Sequence, residues 1–326
     1  MRLLVTGGAG YIGSVVASQL LEAGHEVAVA DDLSTGHRDA VPDGARFVEV
    51  DLVDRRQVLE RLAGDWDAVV HLAGRSLVPE SIEHPGMYFH CNVEAAVNLV
   101  ELLGGSSAPR IVFSSTAAVY GEPERVPIGE DAPTRPTSAY GASKLAVDQL
   151  LGFAAPAHGL AAISLRYFNV AGAYGGRGER HRVETHLIPR VLAVAAGRAD
   201  AVELYGTDYP TPDGTAIRDY IHVADLARAH LLALAAARPG QHRVYNLGNG
   251  AGFSVREVLA AAREVTGREI AANPHPRRAG DPARLVASSG RARQELGWTP
   301  ERASLNEMIA DAWAFMTGTA DGSRSG

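Results

Sequence analysis

Tyr140 and Lys144 are the residue pair in this chain with the clearest capacity for chemistry, and they lie in the stretch Tyr140-Gly-Ala-Ser-Lys144. Four residues apart on a helix, they share one face. An ammonium beside a phenol stabilises the phenolate and lowers a pKa that is about 10 in the free side chain. The product is a base for an alcohol proton. A lone pair of this kind is more often a surface Tyr with a neighbouring Lys, so the reading depends on the elements around it. A helix is predicted there: Pro133 and Pro136 punctuate the approach, Ser138 can cap, and Leu145, Val147, Leu150 and Leu151 recur at roughly helical spacing.

The N-terminal third supplies a second chemical feature. A short apolar strand, Arg2–Thr6, runs into Gly7-Gly-Ala-Gly10-Tyr-Ile-Gly13 and then an apolar helix through Leu21 ended by Gly24. A second strand, Val27–Ala30, ends on Asp31-Asp32. Strand, glycine turn, helix, strand and acid within one βαβ unit read as a dinucleotide fingerprint. Glycines let the backbone approach a pyrophosphate, the helix N-terminus offers N–H donors, and a terminal acid accepts from adenosine ribose hydroxyls. That acid would repel a 2′-phosphate, so NAD is expected rather than NADP. The alternation continues with strands at Phe47–Asp51, with Asp51 placed to read an adenine amine, and at Ala68–Gly74. A helix is expected from Asn92 to Leu103 and a strand at Ile111–Thr116, whose end carries Ser114, Ser115 and Thr116. Ligands of doubly wound sheets lie at such strand ends, although hydroxyls there are commonly helix caps.

Composition narrows the classes of function. The chain has 326 residues, enough for two domains, and a net charge of -7 that leaves no basic footprint for nucleic acid or a membrane surface. The single cysteine, Cys91, rules out an internal disulfide framework and is read as a small packed residue. No apolar run is long enough for a membrane span, and Met1-Arg2 leads straight into a strand, so a cytoplasmic protein without a signal peptide is expected. No His/Asp/Glu spacing points to a metal. His71 and His222 sit in apolar runs and are expected as satisfied core histidines.

Taken together, Thr6–Gly13, Asp31, Asn92, Thr116 and Tyr140/Lys144 resemble the extended short-chain dehydrogenase/reductase family. Further motifs are similar to the UDP-glucose (UDP-galactose) 4-epimerase family within it. They are Leu165–Gly172, the long run Asp208–Val223 with Asp225, Tyr245–Gly248, and Arg277-Arg-Ala-Gly-Asp281. The resemblance spans about residues 1 to 316. It implies an α/β fold: a Rossmann-type doubly wound parallel sheet with a smaller C-terminal α/β substrate-binding domain. Residues 1–166 would form the NAD domain, with a returning segment around 217–248. Residues 167–216 and 249–316 would bind the UDP-sugar, and 317–326 would be a disordered tail.

The resemblance also distributes roles. NAD would be held by Gly7, Gly10, Tyr11, Ile12, Gly13, Asp31, Asp32, Asp51, Leu52, Leu72, Ala73, Gly74, Ser76, Asn92, Thr116, Tyr140, Lys144 and Phe168. Asp32 alone reads more simply as a cap. Ser76 takes the place of a Lys that some epimerases carry after Gly74, where this chain has Arg75-Ser-Leu-Val. The sugar nucleotide would meet Thr116, Tyr140, Tyr167, Asn169, His186, Leu187, Tyr205, Arg218, Arg278 and Asp281. Arg218 and Arg278 are suited to a diphosphate, because guanidinium offers a planar donor fork. Leu285 falls where the family gates the C2 substituent of the sugar, and the charged loop Tyr174–Arg180 carries no role beyond a hypothetical lid.

The implied reaction is reversible inversion at C4 of a UDP-hexose. Tyr140 takes the 4-hydroxyl proton with help from Thr116, and the C4 hydride passes to NAD. The 4-keto sugar then turns about its diphosphate linkage, and hydride and proton return to the other face. A positioned base supplies about 10²–10⁴-fold of such a rate. Three readings compete. A dehydratase needs an Asp-Glu pair after the Thr, and Ala117-Ala118 stand there instead. A reductase would prefer NADPH, which Asp31 opposes. A non-catalytic nucleotide sensor should have lost Tyr140, Lys144 or Thr116, and all three are present. UDP-N-acetylglucosamine, UDP-pentose and UDP-uronate remain alternative substrates, and a homodimer through the helices near Asn92 and Ser138 is expected.

Overall fold

The computed structural model describes residues 1–104, 109–278 and 281–319. Fourteen strands run in chain order as β1 (Arg2–Thr6), β2 (Glu26–Asp31), β3 (Arg46–Glu49), β4 (Ala68–His71), β5 (Arg110–Thr116), β6 (Ala161–Tyr167) and β7 (Asn169–Ala171), then β8 (Val202–Tyr205), β9 (Ile217–Arg218), β10 (Tyr220–His222), β11 (His242–Leu247), β12 (Phe253–Ser254), β13 (Ala272–His275) and β14 (Arg284–Leu285). The helices are α1 (Tyr11–Glu22), α2 (Arg55–Arg61), α3 (Val78–Glu83), α4 (Pro85–Phe89), α5 (Ala95–Leu103), α6 (Ala139–His158), α7 (Leu187–Ala195), α8 (Val223–Ala236), α9 (Val255–Thr266), α10 (Gly290–Leu296) and α11 (Leu305–Thr317).

The main sheet has the order β11-β6-β5-β4-β1-β2-β3. Every pairing in it is parallel. Its strands are apolar on both faces because helices cover both. In β1, Leu3 and Val5 point into one layer with Val15, Val16 and Leu226, whereas Leu4 points into the other with Leu99, Ile111 and Val147. Each such buried aliphatic contributes about 1.5–3 kcal/mol relative to exposure. The strand order reverses between β1 and β4, and the crevice outside that point is where a doubly wound sheet takes its ligand.

A second, smaller apolar cluster joins α7, α9 and α11 through Ile188, Val191, Val258, Leu259, Met308 and Ile309. Around it lie short ladders: β7 with β10, β9 between β12 and β14, and β8 with β13. Within the expected returning segment around 217–248, Ile217–His222 holds two short strands outside the main sheet, and Val223 begins α8. Helix α8 and β11 are the pieces that return: α8 packs on the layer of α1, and β11 pairs with β6 at the sheet edge. Asp51 lies beyond the end of β3, and Ala73 and Gly74 lie beyond β4. The helix expected to begin at Asn92 starts earlier, with α4 followed by a wide π-helical turn over His90–Glu94 and then α5. Thr317 closes α11 rather than opening a tail, and positions 320–326 fall outside the described residues.

Candidate active site

The glycine turn is built by backbone crowding. Gly7 has φ of +72°, and a side chain there would meet the Ala73 amide at 2.6 Å. A side chain at Gly13 would meet the Gly7 carbonyl at 2.1 Å. Only glycine lets the β1–α1 turn lie this close to the end of β4. Gly10 caps α1 without a side chain, which leaves the first-turn amides facing the crevice. Tyr11 in that turn donates to the Gly172 carbonyl at 2.6 Å. Asp31 ends β2 and is buried; its carboxylate accepts from the amides of Ala9 at 3.0 Å and Leu33 at 2.9 Å. Burial pushes its pKa up, against those two amides. Asp32 and Asp51 turn their carboxylates onto the chain itself, the first onto Ser34 and the second onto Val53. Crowded glycines, an open helix N-terminus and a terminal acid fit a dinucleotide.

Gly74, with φ of +152°, lies between two polar groups: a side chain there would come within 2.9 Å of Asn92 Oδ1 and 3.4 Å of Lys144 Nζ. Asn92 accepts from the Arg75 amide, and its amide nitrogen reaches the Arg75 carbonyl and Ser143 Oγ. It thus ties the loop after β4 to α6. Leu72 and Ala73 lie half-buried in that loop, Leu52 is buried, and Ser76 is exposed just before α3.

Helix α6 begins as the spacing predicts, with Ser138 Oγ accepting from the Gly141 amide at 3.2 Å. Tyr140 stands half-buried at its first turn, and Lys144 is buried one turn on. Thr116, at the end of β5, both caps the following turn through the Ala118 amide and neighbours the phenol. Desolvation holds the Tyr140 pKa above its ordinary value, and the Thr116 hydroxyl opposes that. In the chain by itself, burial therefore outweighs the lowering. The ammonium is aimed at the Ser114 carbonyl, 3.0 Å away, and lies 4.9 Å from the Phe113 ring centroid. Burial lowers the Lys144 pKa to about 8.

A buried network that sequence reasoning missed holds α6 on the sheet. Arg166 on β6 donates to Asp148 on α6 at 2.9 Å and to the Tyr120 hydroxyl at 3.0 Å. Ser115 also donates to Asp148, at 3.1 Å, and Tyr120 donates to Asn246 at 2.7 Å. The signal was present in the sequence: Asp148 stands four and eight residues after Lys144 and Tyr140. Ser114, Ser115 and Thr116 therefore do three different things at one strand end. Ser114 Oγ bonds the Tyr167 hydroxyl, Ser115 anchors α6, and Thr116 faces the phenol.

Of the residues expected at a sugar nucleotide, Asn169, Tyr205 and Arg218 stand on the smaller ladders. Arg218 on β9 pairs with Asp281, and the Arg278 guanidinium lies 3.9 Å from the Tyr205 ring centroid. Arg277 turns away to Asp208 and the Tyr209 ring. The Arg218–Asp219 pair is no surface ion pair: Asp219 is buried and accepts from the amides of Asn249, Gly250 and Ala287. Leu285 pairs in register with Arg218 and joins Ala117 and Phe168 in one apolar cluster. That cluster links the strand end carrying Thr116 to the ladder carrying Arg218. Asn169 on β7 donates its amide to the Asp219 carbonyl, so it too stands at this junction.

A model described as the NAD dependent epimerase/dehydratase family matches residues 3–248. The chain belongs to that family. It is 56% identical over 327 residues to a UDP-glucose 4-epimerase of Corynebacterium glutamicum, covering 100% of this chain and 98% of the relative. It is also 56% identical to a UDP-glucose 4-epimerase of Streptomyces lividans, covering 96% and 95%. The crystal structure of UDP-glucose 4-epimerase from Brucella ovis in complex with NAD superposes with a TM-score of 0.90 at 43% identity, covering 96% of this chain and 97% of that one. Among the described residues no helix is long and apolar enough to cross a membrane.

Other family-implied positions show different partners. His186 caps the start of α7, next to half-buried Leu187, and its ring meets Glu184 at 2.7 Å and stacks on His181. Glu179, His181, Glu184 and His186 gather in one group, a juxtaposition that the sequence reading did not single out. The loop Tyr174–Arg180 is also fastened rather than free. Arg180 forks onto Asp39 at 2.8 and 2.9 Å, Arg177 donates to the Ala40 carbonyl, and Tyr174 donates to Glu22. His222 is satisfied by Asp311 and the Ala224 amide. His71, expected to be satisfied, is not: among the described residues it has only Thr6 on Nδ1, its Nε2 is unpartnered, and burial lowers its pKa to about 3.

Proposed function

We infer that this epimerase-family chain interconverts UDP-glucose and UDP-galactose through a 4-keto sugar with transiently reduced NAD. The observation that carries the reading is the meeting of Tyr140, Thr116 and Lys144 at the carboxyl end of β5, beside the β1–β4 crevice, with Ala117-Ala118 where a dehydratase would need acids. NAD would be held by the turn from Gly7 to Gly13, by Asp31, by Leu72–Gly74 and by Lys144. When bound, it would supply the acceptor and donor of the C4 hydride and a positive charge.

The chain's own groups do the rest. Tyr140 takes the 4-hydroxyl proton and returns it, and Thr116 hydrogen-bonds the reacting oxygen. Lys144, anchored on the Ser114 carbonyl, holds the helix face in place and contributes positive charge. Arg218 and Arg278 bind the diphosphate, with Tyr205, Leu187 and Asp281 on the nucleoside side. Gripping the nucleotide at this end leaves the sugar free to present either face, while Tyr167, Phe168 and Asn169 bound the room for turning. The chain is read as cytoplasmic and as a homodimer through α5 and α6. Support for the dimer comes from Val97 and Phe153, large apolar side chains left 39% and 80% exposed on those two helices.

Proton NMR of the purified protein with UDP-galactose and no added NAD tests the reaction. Growth of UDP-glucose signals to equilibrium, abolished by Tyr140→Phe, is expected. No turnover by protein confirmed to hold NAD would overturn the assignment of UDP-galactose.

A further inference from the structure

The loop between β7 and α7 brings together four side chains that the reaction does not use as a set. Glu179, His181, Glu184 and His186 each offer one ligand atom, and these four atoms all lie within 4.8 Å of one another. Inside the group Glu184 Oε1 accepts from the His186 amide at 2.6 Å, and Glu179 Oε1 accepts from the His181 amide at 3.2 Å. His181 Nδ1 sits 2.6 Å from Glu179 Oε1, yet it makes no aligned hydrogen bond. The two imidazoles stack at 5.6 Å with 28° between their planes, and His186 Nδ1 faces Glu184 at 2.7 Å. The four ligand atoms thus crowd into one small region, where each Glu also bonds the His two residues after it.

We propose that Glu179, His181, Glu184 and His186 form a structural Zn²⁺ site. Two imidazole nitrogens and two carboxylate oxygens are a borderline donor set that suits Zn²⁺ in a tetrahedron. Magnesium and calcium would want oxygens throughout, and copper(I) would want sulfur. Bonds of about 2 Å place tetrahedral ligands roughly 3.3 Å apart, so small side-chain rotations close the group onto an ion. Two carboxylates and two neutral imidazoles carry a charge of -2, which one divalent ion neutralises. A cavity of about 550 Å³ lined by Glu179, His181, Glu184, Arg190 and Phe315 borders three of the four ligands. Arg180, between the first two ligands, is committed to Asp39 and does not compete for the carboxylates.

The physical consequence is a clasp. One side of the loop is fixed to the NAD-binding half by Arg180–Asp39 and by His37 on the Arg180 carbonyl at 3.1 Å. The other side leads through His186, at the cap of α7, into the smaller domain. An ion held by both ends of Glu179–His186 would lock that connection. The proposal does not rest on the substrate reading, because binding is measured without any sugar nucleotide.

The test uses the full chain stripped with a chelator and titrated with Co²⁺, followed by displacement with Zn²⁺. One equivalent of Co²⁺ with a visible ligand-field band, reversed by one equivalent of Zn²⁺, together with a rise in melting temperature, is expected. Both the band and the melting shift should be lost in His181→Ala and in Glu184→Gln. The second variant keeps side-chain volume, so it reports even if the first does not fold. Failure to take up a stoichiometric equivalent, or an equivalent retained by Glu184→Gln, would overturn the proposal and leave ordinary Glu–His ion pairs.

Discussion

Arg166 and Asp148 form a buried ion pair, 2.8 Å apart, beneath the helix that carries Tyr140 and Lys144. Both side chains are almost wholly removed from water. Their charges are compensated by each other and by the hydroxyls of Ser115 and Tyr120. The pair joins the middle of α6 to β6, and so sets the height of the Tyr140–Lys144 face above the sheet.

Removing one partner leaves the other charge buried and alone. Asp148→Ala is expected to destabilise the protein by about 3–5 kcal/mol. The double change Asp148→Leu with Arg166→Met is expected to cost less than Asp148→Ala alone. Urea unfolding of the variants checks this, and a cost for the double change equal to the sum of its single changes would remove the coupling.

Lys144 is expected to trade stability for chemistry. Its folded pKa of about 8 lies below the 10.5 of an exposed lysine. The unfolded chain therefore binds more protons between those values. The penalty is present in full below pH 8 and fades as pH rises toward 10.5. It amounts to about 3 kcal/mol at neutral pH. Lys144→Met should lower kcat at least about 10²-fold, the low end of what a positioned acid–base group contributes. The same variant should melt no lower than the parent at pH 7. Differential scanning calorimetry beside the NMR assay reads both, and a lower melting temperature would count against the buried-charge penalty.

Acid sensitivity is expected from two neutral buried histidines. His71 is lowered to about 3 and His230 to about 4 by burial. Unfolded, each would titrate near 6.5, so stability present above that value is lost as pH falls from there toward the folded values. Asp31 and Asp219, raised by burial, work in the opposite sense. The clean measurement is therefore a difference. His230→Leu should make the slope of unfolding free energy between pH 6 and 4.5 shallower by up to one proton, about 1.4 kcal/mol per pH unit. An unchanged slope would mean that His230 is protonated in the folded protein.

Leu285 stands half-buried beside Arg218 and Phe168, at the position where the resemblance implies a gate on the sugar's C2 substituent. Leu285→Ser should raise kcat/KM for UDP-N-acetylglucosamine relative to UDP-glucose by about 10-fold or more, one to a few kcal/mol of relieved crowding. Parallel progress curves for the two substrates decide it. An unchanged ratio would place the limit on the C2 substituent elsewhere.

Phe153 is the most exposed large apolar side chain on α6. Phe153→Glu should convert a dimer to a monomer in light scattering, with the fold intact by circular dichroism. A parent already monomeric at working concentration would sink the dimer reading.

The sequence by itself determined what depends on short-range spacing. The turn from Gly7 to Gly13, the acid at Asp31, the cap at Ser138 and the Tyr140–Lys144 face all lie within one βαβ unit or one helical turn. There, backbone sterics and helix periodicity leave little choice. The reciprocal bonds of Ser254 and Glu257 at the start of α9 are of the same short-range kind, set by three residues of spacing. Only the tertiary structure decided where the Lys144 ammonium points, because the Ser114 carbonyl that receives it is 30 residues away. It also split Ile217–His222 between two ladders and fastened Tyr174–Arg180 to Asp39. It joined Arg166 to Asp148 and drew Glu179, His181, Glu184 and His186 to one centre. These outcomes depend on which distant groups are left to satisfy a buried donor or charge, and that is known only once the layers have packed.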